Sequence, residues 1–264
     1  MPYFNEIVET ICNACGNPST IYNWMNGAPV FKVSLDAAPF LQGYFRNPAP
    51  HTRIEALVMT FPDEKFSDAG RYATAYFARI SAAGASLDAD KLAQAARILT
   101  QVYSSGGMVY ACGNGGSAAI SNHLVCDHCK LVQTDTGLTP RVVSLSAHIE
   151  LITAIANDIS YDEVFVYQLQ SLAKPGDALI TISSSGDSEN IVRAALWAKK
   201  TGIPVISMTG FSGGRSAAIA DVNLHVSADN YGVIEDVHQS IMHLLAQYVR
   251  QAHMSEELIK QRKF

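Results

Sequence analysis

The sequence predicts an α/β fold: a doubly wound, mostly parallel five-stranded sheet flanked by helices, with two leading helices and an irregular N-terminal extension. Three observations carry this. Short runs such as Met108–Ala111 and Ala178–Ile182 are apolar without alternation, as strands covered on both faces must be. Helical segments separate these runs, which is what parallel strands need for their crossovers. Ser- and Gly-rich loops follow two of the strands and lead into helices, at the sheet edge where such folds bind ligands.

Residues 1–65 are rich in Pro, Asn, Phe and Tyr, with turn signals at Asn17-Pro18, Asn26-Gly27 and Asn47-Pro48-Ala49-Pro50. Apart from a short helix expected at Glu6–Cys15, no helical period is sustained there. The division is therefore an extension over 1–65 and a domain over 66–264. Helical spacing runs through Ala69–Ala83 and Asp88–Tyr103, the second ending at Ser104-Ser105-Gly106-Gly107. Then come a strand at Met108–Ala111, the loop Gly113–Ser117 and a helix from Ala118 to Lys130. A strand at Arg141–Leu145 precedes helical stretches His148–Asn157 and Tyr161–Ala173. Ala178–Ile182 is a strand, followed by the loop Ser183–Ser188 and a helix at Glu189–Thr201. Pro204–Met208 is the next strand, followed by a glycine-rich turn at 209–214. A short last strand at Leu224–Val226 leads to a long helix over Val233–Gln251.

Composition narrows the function. Hydrophobic residues make up 48% and charged residues 16%, against about 25% charged in an average chain, which excludes disorder for most of the sequence. The net charge of −5, with no block of like charges, argues against nucleic acid and against an anionic membrane as partners. No stretch approaches the roughly 18 apolar residues of a membrane span. The first residues carry an early acidic pair and no basic segment before an apolar run, so they do not read as a signal peptide. Five clustered cysteines in a chain of this size point to a reducing, cytoplasmic setting. So low a charge on a soluble chain suggests a surface partly buried in an oligomer.

The loop Gly113-Asn114-Gly115-Gly116-Ser117 lets backbone N–H groups at a helix start approach an anion, although a tight structural turn reads the same way. It lacks the third glycine of a dinucleotide fingerprint and the Lys of a P-loop, so no nucleotide cofactor is expected. The loop Ser183-Ser184-Ser185-Gly186-Asp187-Ser188 offers four hydroxyls and a glycine at another helix start. Asp187 or Ser188 would serve as an ordinary cap, but one cap needs one residue, and the surplus favours a phosphate cradle.

On the last helix Glu235, Gln239 and His243 step by four, and on the helix after the first loop His123 and Asp127 do the same. Together they offer a set for zinc or a similar divalent ion. The plainer alternative is first-turn acids on a helix dipole and a packed histidine. Cys12–Cys15 and Cys126–Cys129 are each C-x2-C, but about 110 residues separate them, longer than zinc ribbons use.

The order strand-GNGGS-helix, strand-SSSGDS-helix, strand-TGFSGG resembles the sugar isomerase (SIS) domain, and within it the phosphoheptose isomerases, over roughly residues 67–252. The resemblance implies a phosphosugar aldose–ketose isomerase acting on sedoheptulose 7-phosphate. It implies a sugar phosphate held by Ser183, Ser184, Ser185 and Ser188, and substrate contacts from Asn114, Gly115, Ser117 and Asp158. It places His123, Asp127, Glu235 and His243 as metal positions, with zinc as the expected ion, and Asp127, His243 and Glu235 as the acid–base candidates. Asp127 and Glu235 stand where the family has Glu and Gln, so one carboxylate becomes two. A further family Asp falls on Gly232, and the family's basic residue after the first helix has its nearest counterpart in Lys130. The family also implies a cytoplasmic homotetramer. Some SIS proteins are non-catalytic binding modules, the alternative reading, and the acidic and imidazole set on the two helices argues for the enzyme.

Overall fold

The computed structural model describes residues 60–264 and, before them, two short strands, β1 (Asn23–Met25) and β2 (Ala28–Val30), which pair antiparallel. The chain divides into units Met1–Leu57 and Val58–Phe264. The helix expected at Glu6–Cys15 lies outside the described residues.

In the second unit, α1 (Ala69–Ala85) and α2 (Ala89–Ser104) lead into β3 (Met108–Gly113) and α3 (Gly116–Cys126), which runs on as a π-helix over Asp127–Val132. Then follow β4 (Arg141–Ser144), α4 (Ile149–Asp158), a 3-10 turn at Tyr161–Glu163, α5 (Val166–Leu172), β5 (Ala178–Ser183) and α6 (Glu189–Lys200). The chain closes with β6 (Val205–Thr209), α7 (Gly214–Ile219), β7 (Val222–His225), α8 (Tyr231–Ala252) and α9 (Glu256–Gln261). The leading helices start at aspartates whose side chains accept from free first-turn amides: Asp68 Oδ1 from Arg71 N at 2.9 Å, and Asp88 Oδ1 from Asp90 N at 2.9 Å and Lys91 N at 3.1 Å. Each such cap contributes about 1 kcal/mol.

The sheet has the order β4-β3-β5-β6-β7, and every pair is parallel, so the expected "mostly parallel" sheet has no antiparallel member. Side chains alternate between two cores. Val109, Ala111, Ile180, Ile182, Ile206 and Met208 pack with α2, α3 and α8, while Tyr110, Cys112, Leu179 and Val205 pack with α4, α5 and α6. Both faces being apolar is why the strands show no alternation in sequence.

Five segments differ from the sequence reading. The stretch expected as one helix over Tyr161–Ala173 breaks after Glu163, where Val164 and Phe165 turn inward to burial at 0% and 2% exposure. The helix expected to Lys130 changes to π geometry at Asp127. The turn after β6 contains a helix of its own, α7, and α9, capped by Ser255, extends the chain beyond α8. Strand β7 begins two residues earlier than expected, at Val222. Among the described residues no helix is long and apolar enough to cross a membrane.

Two histidines are buried among these elements. His128 Nδ1 meets Tyr103 Oη at 2.6 Å, and burial pushes its pKa down to about 4. Neither ring nitrogen of His238 has a hydrogen-bonding side-chain or backbone partner by distance and angle among the described residues, and burial likewise pushes its pKa down to about 4. From the ordinary value of 6.5 down to about 4, the unfolded chain therefore binds protons that the folded chain does not. Stability therefore decreases as the pH is lowered through that window, by about 1.4 kcal/mol per pH unit for each histidine. Urea unfolding between pH 7 and pH 5 should show a flatter pH dependence for His238→Gln than for the unmodified chain. Identical slopes would show that His238 takes its proton equally in both states.

Candidate active site

β3 and β5 are neighbours, but the chain leaves β3 toward β4 on one side and leaves β5 toward β6 on the other. Their carboxyl ends form the switch point of the sheet, where the two connecting loops part and open a crevice. The Gly113–Gly116 and Ser183–Ser188 loops stand at that crevice.

In the second loop Ser183 Oγ accepts from Gly186 N at 3.2 Å and Ser185 Oγ accepts from Asp187 N at 3.3 Å. Ser184 Oγ is buried and has no hydrogen-bond partner among the described residues. Ser188 occupies the N-cap position of α6 without making a side-chain cap, and the Asp187 carboxylate is turned away to Arg215. Neither residue acts as the ordinary cap that the sequence left open. A helix start that leaves its own hydroxyl unused beside an unpartnered buried hydroxyl is suited to an external anion.

The first loop is held from both sides. Gly113 donates to Ser146 Oγ at 3.1 Å, and Ser146 Oγ donates back to Gly113 O at 2.8 Å. A Cβ on Gly113 would lie 2.5 Å from Ser117 O, and Gly115 has φ +54°. Asn114 exchanges amide hydrogen bonds with Asn190 at 2.9 and 3.0 Å and accepts from Tyr161 Oη at 2.9 Å. Asn190, on the first turn of α6, thus ties one loop to the other. Sequence reasoning missed Asn190 and Tyr161, because their partner lies 76 and 47 residues away. Ser117 is buried at 5% exposure on the first turn of α3. Asp158, at the end of α4, is exposed and accepts from Asn157 Nδ2 at 2.8 Å, and among the described residues no hydrogen bond ties it to either loop.

Two turns along α3, a rise of about 10 Å from Gly116, His123 and Asp127 face His243 of α8. Asp127 Oδ2 lies 2.7 Å from His243 Nδ1 and Oδ1 lies 3.3 Å from His123 Nε2. Gln239 Nε2 spans the imidazoles, 3.1 Å from His123 Nδ1 and 3.0 Å from His243 Nε2. The rings meet edge to face with centroids 4.9 Å apart. Ligand atoms of His123, Asp127 and His243 all lie within 4.8 Å of one another, and this is the one such His/Cys/Asp/Glu group among the described residues. Two imidazoles and a carboxylate with an open side form a donor set that zinc accepts.

Glu235 is not in that group. Its carboxylate rests against Gly116, where a Cβ would come within 2.3 Å of Oε2, at the positive end of α3. Burial, with Asp236 adding to it, raises its pKa above the ordinary carboxylate value. The start of α3 therefore already faces a carboxylate, and α6 is the better seat for a phosphate. Cys126 is exposed and Cys129 half-buried, both free, while Cys12 and Cys15 lie outside the described residues.

The chain is similar to known proteins in sequence and in fold. The SIS domain family matches residues 71–210. A probable phosphoheptose isomerase of Thermoplasma volcanium is 35% identical over 164 residues, 62% of this chain and 83% of that protein. A phosphoheptose isomerase of Nitratidesulfovibrio vulgaris is 37% identical over 158 residues, covering 60% and 76%. The solved structure of a phosphoheptose isomerase from Neisseria gonorrhoeae superposes with a TM-score of 0.64 at 30% identity, over 70% of this chain and all of that one.

Gly186 makes the cradle testable without a substrate. Its φ is +69°, and a Cβ there would come within 2.0 Å of Gly213 O. Gly186→Ala should lower stability by at least about 2 kcal/mol, strain and clash acting together. Thermal unfolding checks this, and an unchanged midpoint would mean that the two loops are not packed backbone to backbone.

Proposed function

The chain belongs to the SIS-domain family, among the phosphoheptose isomerases, and on that premise we propose that it interconverts sedoheptulose 7-phosphate and D-glycero-D-manno-heptose 7-phosphate. The observation that carries the reading is the pairing of an uncapped, hydroxyl-rich helix start with an imidazole–carboxylate cluster on neighbouring helices. The substrate has the same division: its phosphate sits on carbon 7, and its chemistry happens at carbons 1 and 2, at the far end of the molecule.

The phosphate would sit on Ser183, Ser184, Ser185 and Ser188 at the start of α6, with Asn114, Gly115, Ser117 and Asp158 contacting the sugar. Isomerisation removes a proton from carbon 1 beside the carbonyl, passes through an enediol, and returns a proton to carbon 2. Asp127 and His243, 2.7 Å apart, can hold that proton between them. Asp127 would act as the base, and the imidazole of His243 would orient it and give or take the oxygen-bound proton. Glu235, whose pKa burial raises above the ordinary carboxylate value, is the base in the alternative where Asp127 and His243 serve as metal ligands.

We further propose zinc or a similar divalent ion held by His123, Asp127 and His243; Glu235, two turns earlier on α8 and beside Gly116, stands outside that group. When bound, such an ion supplies Lewis acidity toward the sugar carbonyl. No nucleotide cofactor is needed for an internal proton transfer. A homotetramer in the cytoplasm completes the proposal. It is supported by exposed apolar side chains on three helices, Tyr72 and Phe77 on α1, Ile149 and Leu151 on α4, and Leu244 and Tyr248 on α8.

Proton NMR with sedoheptulose 7-phosphate in D₂O tests the reaction. The expected result is aldose formation with deuterium at carbon 2, lost on chelation and restored by zinc. Asp127→Asn should lower kcat by about 10²–10⁴-fold while leaving the thermal midpoint near that of the unmodified chain. Turnover of other ketose phosphates alone would reassign the substrate. Phosphosugar binding with no turnover of any would make the chain a binding module.

A further inference from the structure

The loop proposed to hold a phosphate carries two carboxylates of its own. Asp187 lies within it, and Glu189 opens α6 directly after it. A dianion brought to that helix start meets two like charges unless something offsets them. Arg215, on the first turn of α7 and 28 residues further on, does so with four hydrogen bonds. Its backbone N and its Nε both donate to Asp187 Oδ1 at 3.0 Å, its Nη2 donates to Asp187 O at 2.8 Å, and its Nη1 donates to Glu189 Oε2 at 2.8 Å. Arg215 holds Asp187 below the usual carboxylate range, and Arg193 together with Arg215 does the same for Glu189.

The rest of the turn supports the same contact. Ser216 N donates to Gly186 O at 2.9 Å and Gly210 N to Ser184 O at 2.9 Å. Gly213 and Gly214 pack against Gly186 and Ser185 so closely that a Cβ on Gly214 would lie 2.5 Å from Ser185 O. Glu189 has a second cation, Arg193, whose Nε lies 2.8 Å from Oε1. Asp187 has only Arg215 among the described residues. Arg215 also keeps the Asp187 side chain, one residue before the N-cap Ser188, turned away from the start of α6, where a carboxylate would compete with the incoming anion.

We propose that Arg215 is a positioning residue for phosphate binding: from outside the loop it neutralises Asp187 and keeps that carboxylate out of the helix start. This rests on the reading of the 183–188 loop as the sugar-phosphate seat. The guanidinium has no part in proton transfer, so its loss acts on binding and not on the chemical step.

The test is a set of three variants, Arg215→Gln, Asp187→Asn and the double variant. Binding of inorganic phosphate is measured by calorimetry, and KM and kcat are measured with sedoheptulose 7-phosphate. Arg215→Gln should weaken phosphate binding and raise KM by about tenfold, with kcat within about threefold. The double variant should recover most of that loss, because the charge left uncovered is gone, and Asp187→Asn alone should bind phosphate at least as tightly as the unmodified chain. An unchanged phosphate affinity in Arg215→Gln overturns the proposal. So does a double variant no better than the single one, which would mean that Arg215 touches the phosphate itself or only holds the fold. If Arg215→Gln does not fold, Asp187→Asn decides, and weaker binding there also overturns it. An unmodified chain that neither binds phosphate nor turns over the sugar would instead overturn the functional reading.

Discussion

At the switch point between β3 and β5 the chain has to run outward in two directions, and the crevice this opens cannot be closed without changing the strand order. Every feature of the candidate site follows from how the protein lines that crevice. Parallel strands end at the same edge, so the starts of α3 and α6 converge there with unpaired amides. The protein treats the two starts differently. At α3 it brings up the Glu235 carboxylate against Gly116, and at α6 it leaves the end uncapped. Neither start has a side-chain cap, but one already faces a carboxylate and the other is free to take an anion.

Keeping a helix start uncapped leaves a polar end without an internal partner, and the surrounding contacts make that tolerable. Gly186 takes a left-handed φ so that its carbonyl can receive Ser216 N, and the glycines after β6 allow the two loops to touch through their backbones. The Asn114–Asn190 pair fixes the spacing between the loops with hydrogen bonds that are partly buried, and therefore less exposed to competition from water. A net charge of −5 is no obstacle to binding a dianion in such a place. Amide dipoles and hydroxyls act at short range, and the nearest carboxylates of the loop are paired with arginine.

Much of this was legible in the sequence, for a physical reason. Strands covered on both faces become apolar runs, and loops at the ligand edge become Gly- and Ser-rich, so strands, crossovers and both loops could be placed from local composition. Four-residue helical spacing placed His123 and Asp127 on one face and His243 on the last helix. What it could not supply were partners distant in sequence. Asn190 looks like an ordinary helix-start residue, Tyr161 an ordinary surface tyrosine and Arg215 an ordinary charge after two glycines; each acquires a role only when another segment folds against it. The same limit explains why Glu235, in step with His243 in the sequence, ends up beside Gly116 rather than in the imidazole cluster. The short helix α7 was hidden because the glycines that begin it are the strongest turn signal in the stretch.

The change to π geometry at Asp127 bears on the carboxylate itself. A π-turn packs an extra residue into the helical turn and is found where a helix must re-aim its side chains. Here it begins at the residue whose side chain is one methylene shorter than the glutamate of the resembled family. Asp127 nevertheless reaches both imidazoles, and the next residue, His128, anchors the helix through its buried contact with Tyr103. A short side chain has fewer rotamers to lose and holds its oxygens more firmly than a long one. The shorter acid therefore works only if the backbone is carried to it, and the α3–α8 contact, with Gln239 linking the two histidines, does the carrying. Reach given up in the side chain is recovered in the placement of two helices, so a change in their packing would alter the acid–base cluster before it altered the phosphate seat.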